Sequence, residues 1–279
     1  MTRHVQRVSA GLLLSFILTL IPLFCHALPR ESRVPGGIAL IRFGNASADE
    51  TPPRAWLGEQ PVWVTRDGTY WVAVLGITLD AQPGTAGELR VSDGSTLRFE
   101  IGQKHYPEQR IKLKDTGKVT LSPADEARAV QEIAHIQQLK RHWREVTDTE
   151  TDSDFVLPAE GRLTSRFGLR RFFNGEPRAP HNGLDIAVPR GTAVKANAAG
   201  KVLAVDDFFF NGKTVFIDHG NGLISMACHL DRIDVQTGQS VARGELIGRS
   251  GMTGRASGPH VHWSIVLNGV MVDPALFLK

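Results

Sequence analysis

Three short motifs carry the residues able to do chemistry: His181-Asn182-Gly183-Leu184-Asp185, Cys228-His229-Leu230 and His260-Val261-His262. Side chains alternate along a strand, so His260, His262 and Ser264 share one face while Val261, Trp263 and Ile265 share the other. Residues two apart on such a face lie roughly 6.5–7 Å from each other, near enough to serve one site. Neutral imidazole binds zinc well, and a neighbouring imidazole can move protons. Asn-Gly and the following Ile186, Val188 and Pro189 oppose a helix at the first motif. A straight strand would hold His181 and Asp185 roughly 13 Å apart. A bend at Asn182-Gly183 brings them together, with His181 arriving from a loop and Asp185 from the start of a strand.

Three protein ligands with an open fourth position define a catalytic zinc site. His181, Asp185 and one of His260 and His262 make such a set, leaving the other histidine and His229 as acid–base groups. Alternation alone leaves His260 and His262 equivalent. Along Leu223–Leu230 it places His229 with Ser225 and Ala227, and turns Cys228 with Ile224 and Met226 toward the core as a structural thiol. His219, beside a turn, reads as structural, and His105 stands without a second candidate ligand.

These elements sit in a chain of 279 residues. Arg3, Arg7 and the apolar run Ala10–Phe24, followed by Cys25-His26-Ala27, read as a signal peptide over 1–27 that is removed, since the run is short for a spanning helix. That implies a periplasmic or secreted protein, with no membrane contact beyond the signal peptide. The segment carries two arginines and no acid, so the remainder is nearly neutral, which excludes a basic nucleic-acid binder. One cysteine then remains, so no intramolecular disulfide forms.

Residues 35–121 read as an all-β N-terminal domain, a small sandwich with strands near Gly37–Phe43, Pro61–Thr65, Tyr70–Ile77, Glu88–Val91, Leu97–Ile101 and Lys118–Leu121. Residues 122–154 read as a helix and linker. Ser122-Pro123 forms the start, and Val130, Ile133, Ile136, Leu139, Trp143 and Val146 form one apolar stripe with His135 and His142 toward solvent. Residues 155–279 read as a second, antiparallel β domain with hairpin turns at Asn221-Gly222 and Asn268-Gly269. Arg170–Arg178 and Asp207–Gly212 read as loops flanking the site, and Phe208, Phe209 and Phe210 cannot all face inward. The fold class is mainly β, with one connecting helix.

His-x-x-x-Asp followed by a late His-x-His in a glycine-rich β domain resembles the M23 (LytM/lysostaphin-type) zinc metallopeptidases. The likeness covers nearly all of residues 157–275, including Ser165-Arg166-Phe167-Gly168, Gly191-Thr192 through Gly200, Asp218-His219-Gly220, Cys228-His229-Leu230 and Thr253-Gly254 through Trp263. Val34-Pro35-Gly36-Gly37 and the Tyr106-Pro107 region resemble the β-sandwich N-terminal domain of Gram-negative members. The resemblance implies one Zn2+ per chain on His181, Asp185 and His262, with His229 and His260 catalytic. It implies hydrolysis of peptide crosslinks in peptidoglycan, D-alanyl–diaminopimelate bonds rather than pentaglycine bridges. Ala227 stands where the family often has an aromatic residue. Relatives that lose ligands act as amidase activators, whereas every site position is intact here. A silent wall-binding module is the rival reading. A cupin would need a glutamate soon after His-x-His, and an amidohydrolase a larger α/β barrel. The N-terminal domain is expected to cover the groove, to bind wall material or to bind a regulatory partner.

Overall fold

The computed structural model describes residues 28–47, 50–112, 121–147, 151 and 153–279. The signal-peptide segment, most of the strand expected over 118–121, and part of the expected linker lie outside them. In the N-terminal unit, β1 (Ile38–Asn45), β2 (Ala55–Leu57), β3 (Gln60–Asp67), β4 (Tyr70–Gly76), β5 (Ala86–Val91) and β6 (Thr96–Glu100) form one antiparallel sheet. Its order is β1-β4-β3-β2-β5-β6. The expected sandwich thus takes the form of one continuous sheet whose two halves enclose a common core. Ile41, Val64 and Ala73 from one half meet Leu89 and Phe99 from the other. The short β2, bounded by prolines and glycine, joins the halves and has no period long enough to read from sequence.

β7 (Glu108–Ile111) leaves this sheet, and α1 (Pro123–Lys140) follows. Ser122 caps α1 by accepting from the Asp125 N–H, as its position before Pro123 predicts. The helix ends at Lys140, short of the apolar stripe. Ile136 and Leu139 pack on the C-terminal sheet, whereas Val130 is 62% and Ile133 48% exposed. Trp143 and Val146 belong to the segment after the helix and cover Gly222 and Gly220, where a Cβ would meet them at 2.9 Å and 2.3 Å. His142, expected in solvent, instead stands 3.5 Å from the buried Asp218 carboxylate. The physical reason is that Arg144 pairs with the same carboxylate, which pulls the chain out of helical geometry.

The C-terminal unit contains β8 (Arg162–Ser165), β9 (Arg170–Phe173), β10 (Glu176–Pro177), β11 (Leu184–Ala187), β12 (Ala193–Lys195), β13 (Gly200–Phe208) and β14 (Gly212–Asp218). β15 (Leu223–Ile233), β16 (Ser240–Val241), β17 (Leu246–Ser250), β18 (His260–Leu267) and β19 (Val270–Val272) complete it. The main path runs β16-β13-β14-β15-β18-β11-β8. Asn221-Gly222 and Asn268-Gly269 adopt positive φ at both residues (47° and 74°, 41° and 86°), the conformation of tight hairpin turns. One face of this sheet holds Ile186, Ala227, Val261, Trp263 and Ile265. The other holds Phe208, Phe216, Ile224, Met226, Cys228 and Val266 and is partly covered by α1.

The two units share a seam. Ile38, Trp63, Val72 and Val74 join the same core as Trp263, Leu267 and Val272. The β1-β4-β3 part of the N-terminal sheet is therefore buried on both faces. Gly76 sits in this seam, its N–H donating to Asn268 Oδ1 at 2.7 Å. A Cβ there would lie 2.8 Å from Val270 and Val272 and 2.9 Å from the Leu267 carbonyl. Gly76→Val should cost roughly 1–3 kcal/mol by overpacking, read as a lowered thermal midpoint. An unchanged midpoint would show that the seam is loose.

Candidate metal centre

β18 is the axis of the site. Its His262 pairs in register with Asp185 of β11 on one side and Cys228 of β15 on the other, and Asp185 pairs onward with Ser165 of β8. Paired residues point to the same face, so Asp185, His262 and Ser165 project together from the half of the face that α1 leaves open. His181 enters from the loop before β11. Gly183 permits that approach, because a Cβ there would sit 2.4 Å from the Trp263 carbonyl and 2.8 Å from the His262 ring. The loop is tied by Gly168 N–H to the His181 carbonyl at 2.7 Å and by His181 N–H to the Leu169 carbonyl at 3.0 Å.

Three atoms converge. His181 Nε2 and His262 Nδ1 each lie 2.9 Å from Asp185 Oδ1 and 3.1 Å from one another. His181 Nδ1 is 2.9 Å from the Arg166 carbonyl, which can only accept, so in the neutral ring Nδ1 carries the proton and Nε2 keeps its lone pair. His262 Nε2 is 2.8 Å from Ser264 Oγ, a partner for its proton when Nδ1 is the free atom. Two lone pairs and a carboxylate oxygen then face one point, an arrangement that needs a cation. Tetrahedral zinc, with bonds of about 2.0–2.2 Å, spaces its donors about 3.3–3.5 Å apart, so a small outward relaxation of this set accommodates it. Among the described residues, these three are the group of ligand-type side chains close enough to hold a metal.

The electrostatics agree. Burial alone would raise the Asp185 carboxyl, but when His181 and His262 turn N–H groups toward it their hydrogen bonds and charge outweigh burial. They hold the group well below the usual carboxylate range, so it is a carboxylate before any cation arrives. Burial lowers His262, favouring the neutral ring that a ligand requires.

His229 and His260 stand beside this set. Their ring centroids are 4.7 Å apart, and His229 is 6.1 Å from the His262 ring. His260 Nε2 is 3.7 Å from Asp185 Oδ1. Each ring is oriented by a backbone carbonyl: His229 Nδ1 donates to Thr253 at 2.9 Å and His260 Nδ1 to Gly258 at 2.8 Å. Both therefore offer Nε2 as a base. Burial pushes His229 down to about 4, so it is neutral at ordinary pH.

Alternation misplaces two residues here. Cys228 pairs with His262 and lies on the site's face of the sheet, not on the opposite one. Strict alternation would then turn His229 away. Instead His229 adopts φ +61°, its N–H donating to the Asn211 carbonyl at 2.8 Å, and the chain reverses its phase so that its ring meets His260 and His262. The Cys228 thiol remains structural in character: it is fully buried, accepts from Asn211 Nδ2 at 3.4 Å and is pushed up to about 11 by burial. His219, as expected, is buried, bonded to the Ala199 carbonyl and Ser225 Oγ. His105 and His135 are exposed.

The flanking loops carry more structure than the sequence suggests. Arg170–Arg178 contains the β9–β10 hairpin, extended by parallel pairing of β7 with β9. At the other wall Phe208 is buried and Phe210 is 39% exposed, so the phenylalanine run does divide between core and surface. Asn211 and Thr253 lie in stretches the sequence marks, but their roles in orienting His229 through their carbonyls cannot be read there, since a backbone contact has no residue signature. N-ethylmaleimide mapped by mass spectrometry should leave Cys228 unmodified in the folded protein and label it after unfolding; rapid native labelling would contradict its burial.

The fold and this centre define a β-rich metallopeptidase. Residues 179–274 match peptidase family M23, and residues 31–104 match the peptidase family M23 N-terminal domain. A crystal structure of a peptidase M23 from Pseudomonas aeruginosa is 41% identical, covers 88% of this chain and 95% of its own, and superposes with a TM-score of 0.73. The chain belongs to peptidase family M23. Over 120 residues (43% of this chain, 28% of the relative) it is 40% identical to peptidoglycan DD-endopeptidase ShyA of Vibrio cholerae. Over 113 residues (40% and 26%) it is 37% identical to DD-carboxypeptidase/endopeptidase Mpg of Neisseria meningitidis. The matched stretches thus span little more than a quarter of these curated relatives.

Proposed function

We propose that this protein is a zinc endopeptidase that hydrolyses the peptide crosslinks of bacterial peptidoglycan, cutting D-alanyl–diaminopimelate bonds. The observation that carries this reading is the convergence of His181 Nε2, Asp185 Oδ1 and His262 Nδ1 beside two histidines anchored through Nδ1. The Vibrio relative's name as a peptidoglycan DD-endopeptidase supports the substrate class. Residues 1–27 would direct the chain to the periplasm or beyond, where that substrate lies.

His181, Asp185 and His262 would hold one Zn2+ per chain, leaving the fourth position for water and substrate. Bound there, zinc lowers the pKa of a coordinated water to roughly 7 and polarises the scissile carbonyl. His229 Nε2, neutral and held by Thr253, takes the water proton and returns it to the leaving amine. His260, held by Gly258 with its ring beside that of His229, would help to stabilise the developing oxyanion. Asp185 stays ionised throughout, balancing the metal's charge.

The N-terminal unit serves in this reading as scaffold. Its seam is apolar, and its β7 braces the wall of the site. A fragment beginning near Asp154 would expose that seam, so it should be less soluble and less active than the full chain. Higher activity in the fragment would instead favour a latent enzyme.

Two measurements separate catalysis from binding. His229→Ala should keep its zinc while turnover falls by at least ~100-fold, and His262→Ala should lose the metal. Full zinc occupancy in the latter would overturn the ligand assignment. Incubated with purified sacculi, the full chain should release soluble muropeptides without another hydrolase; a wall-binding module or amidase activator would release none.

A further inference from the structure

Beside the metal donors lies a guanidinium that the hydrolytic machinery leaves unused. Arg171 of β9 is partly buried, and its Nη2 donates to Ser165 Oγ at 3.2 Å. Ser165 Oγ is in turn 3.2 Å from His181 Nδ1, so the guanidinium sits two hydrogen bonds from a metal-donor ring. Among the described residues no carboxylate pairs with it. Several arginines elsewhere have an acid partner: Arg110 has Glu108 at 2.7 Å, Arg144 has Asp218 and Arg190 has Asp231, while Arg30, Arg90 and Arg249 bond backbone carbonyls. A guanidinium half removed from water with only a hydroxyl for company is best completed by a carboxylate, which its planar fork grips with two hydrogen bonds.

The position of Arg171 is set from several sides. Its carbonyl accepts from the Arg178 N–H at 2.9 Å, and β7 pairs in parallel with β9 so that Gln109 stands opposite it. The neighbouring Phe172 lies under the Arg110 guanidinium at 4.3 Å. The N-terminal unit thereby helps to aim Arg171 at the site.

We propose that Arg171 is a specificity-determining residue that binds a free carboxylate of the substrate next to the bond being cut. This rests on the peptidoglycan reading. In a D-alanyl–diaminopimelate crosslink, the carbon bearing the scissile amide nitrogen also bears a carboxylate, so an acid group necessarily accompanies the amide to the metal. Arg171 accepts that group, orients the amide toward the metal donors and disfavours crosslinks whose carboxylate is masked or missing.

The test compares two crosslinked muropeptide dimers, identical except that the diaminopimelate carboxylate is free in one and amidated in the other. The full-length wild type should favour the free acid by about 10–100-fold in kcat/KM, mostly through KM. Arg171→Gln should lose that preference, falling on the free acid while its rate on the amide stays within about twofold, with zinc content unchanged. Arg171→Lys should fall between, keeping charge without the fork. Equal cleavage of both dimers by the wild type, or equal loss on both in Arg171→Gln, would overturn the proposal while leaving the peptidoglycan reading intact. A wild type that cuts neither dimer overturns both.

Discussion

Two imidazole lone pairs and a carboxylate oxygen within about 3 Å of one another repel, and the fold holds them there nonetheless. Without a cation, the rings relieve that repulsion by turning an N–H toward the carboxylate, by tautomer shift or by protonation, and a ring in that state is not a ligand. The rest of the C-terminal unit follows from keeping these atoms together. β18 supplies His262, β11 supplies Asp185 in register with it, and the Gly183 bend brings in His181, the three residues proposed to hold the metal. Backbone carbonyls fix the tautomers, at Arg166 for the ligand His181 and at Thr253 and Gly258 for the two remaining histidines.

Along one face of β18 the environment changes in four steps. His260 and His262 face the open site, Ser264 is buried and bonded to His262, and Val266 lies in the core with Met226 and Phe216. α1 marks the boundary. Its Arg128 donates to the Asp207 carbonyl at 2.8 Å, and its Glu132 accepts the Phe209 N–H at 2.6 Å. These contacts hold the Asp207–Gly212 turn, whose Asn211 carbonyl in turn holds the His229 N–H. The connecting helix is thus part of the support of the His229 ring, although none of its own described residues is among the convergent donors.

The N-terminal unit is similarly committed. Burial of both faces of its β1-β4-β3 strands leaves it no independent core surface to withdraw, and β7 adds to the sheet that carries Arg171. An apolar seam of this kind gives a fixed relation between the units, in contrast to the polar, mobile contacts of domains that swing.

Much of the site was legible in the residues alone. Period-two alternation places His260 and His262 on one face, Asn-Gly turns define two hairpins, and an intolerance of helix at Asn182-Gly183 forces the bend that unites His181 with Asp185. The family resemblance then distinguished His262 from His260, which local geometry could not. What local rules misjudged has one cause: they assume that each element continues its own pattern. The apolar stripe of α1 runs past Lys140, yet Arg144 and Asp218 end the helix from outside it. Alternation would send His229 away from Cys228's face, yet the carbonyl of Asn211, eighteen positions earlier in the chain, captures its N–H and goes with a left-handed backbone. The pairing of β7 with β9 likewise joins segments far apart in sequence, and parallel pairing has no turn signal to announce it. By itself the sequence determined which residues are of metal-binding type and that His260 and His262 share a face, because those depend on residue type and backbone period. Only the tertiary structure decided which way His229 points and what stands beside Arg171, because those depend on hydrogen bonds from distant segments that no local pattern encodes.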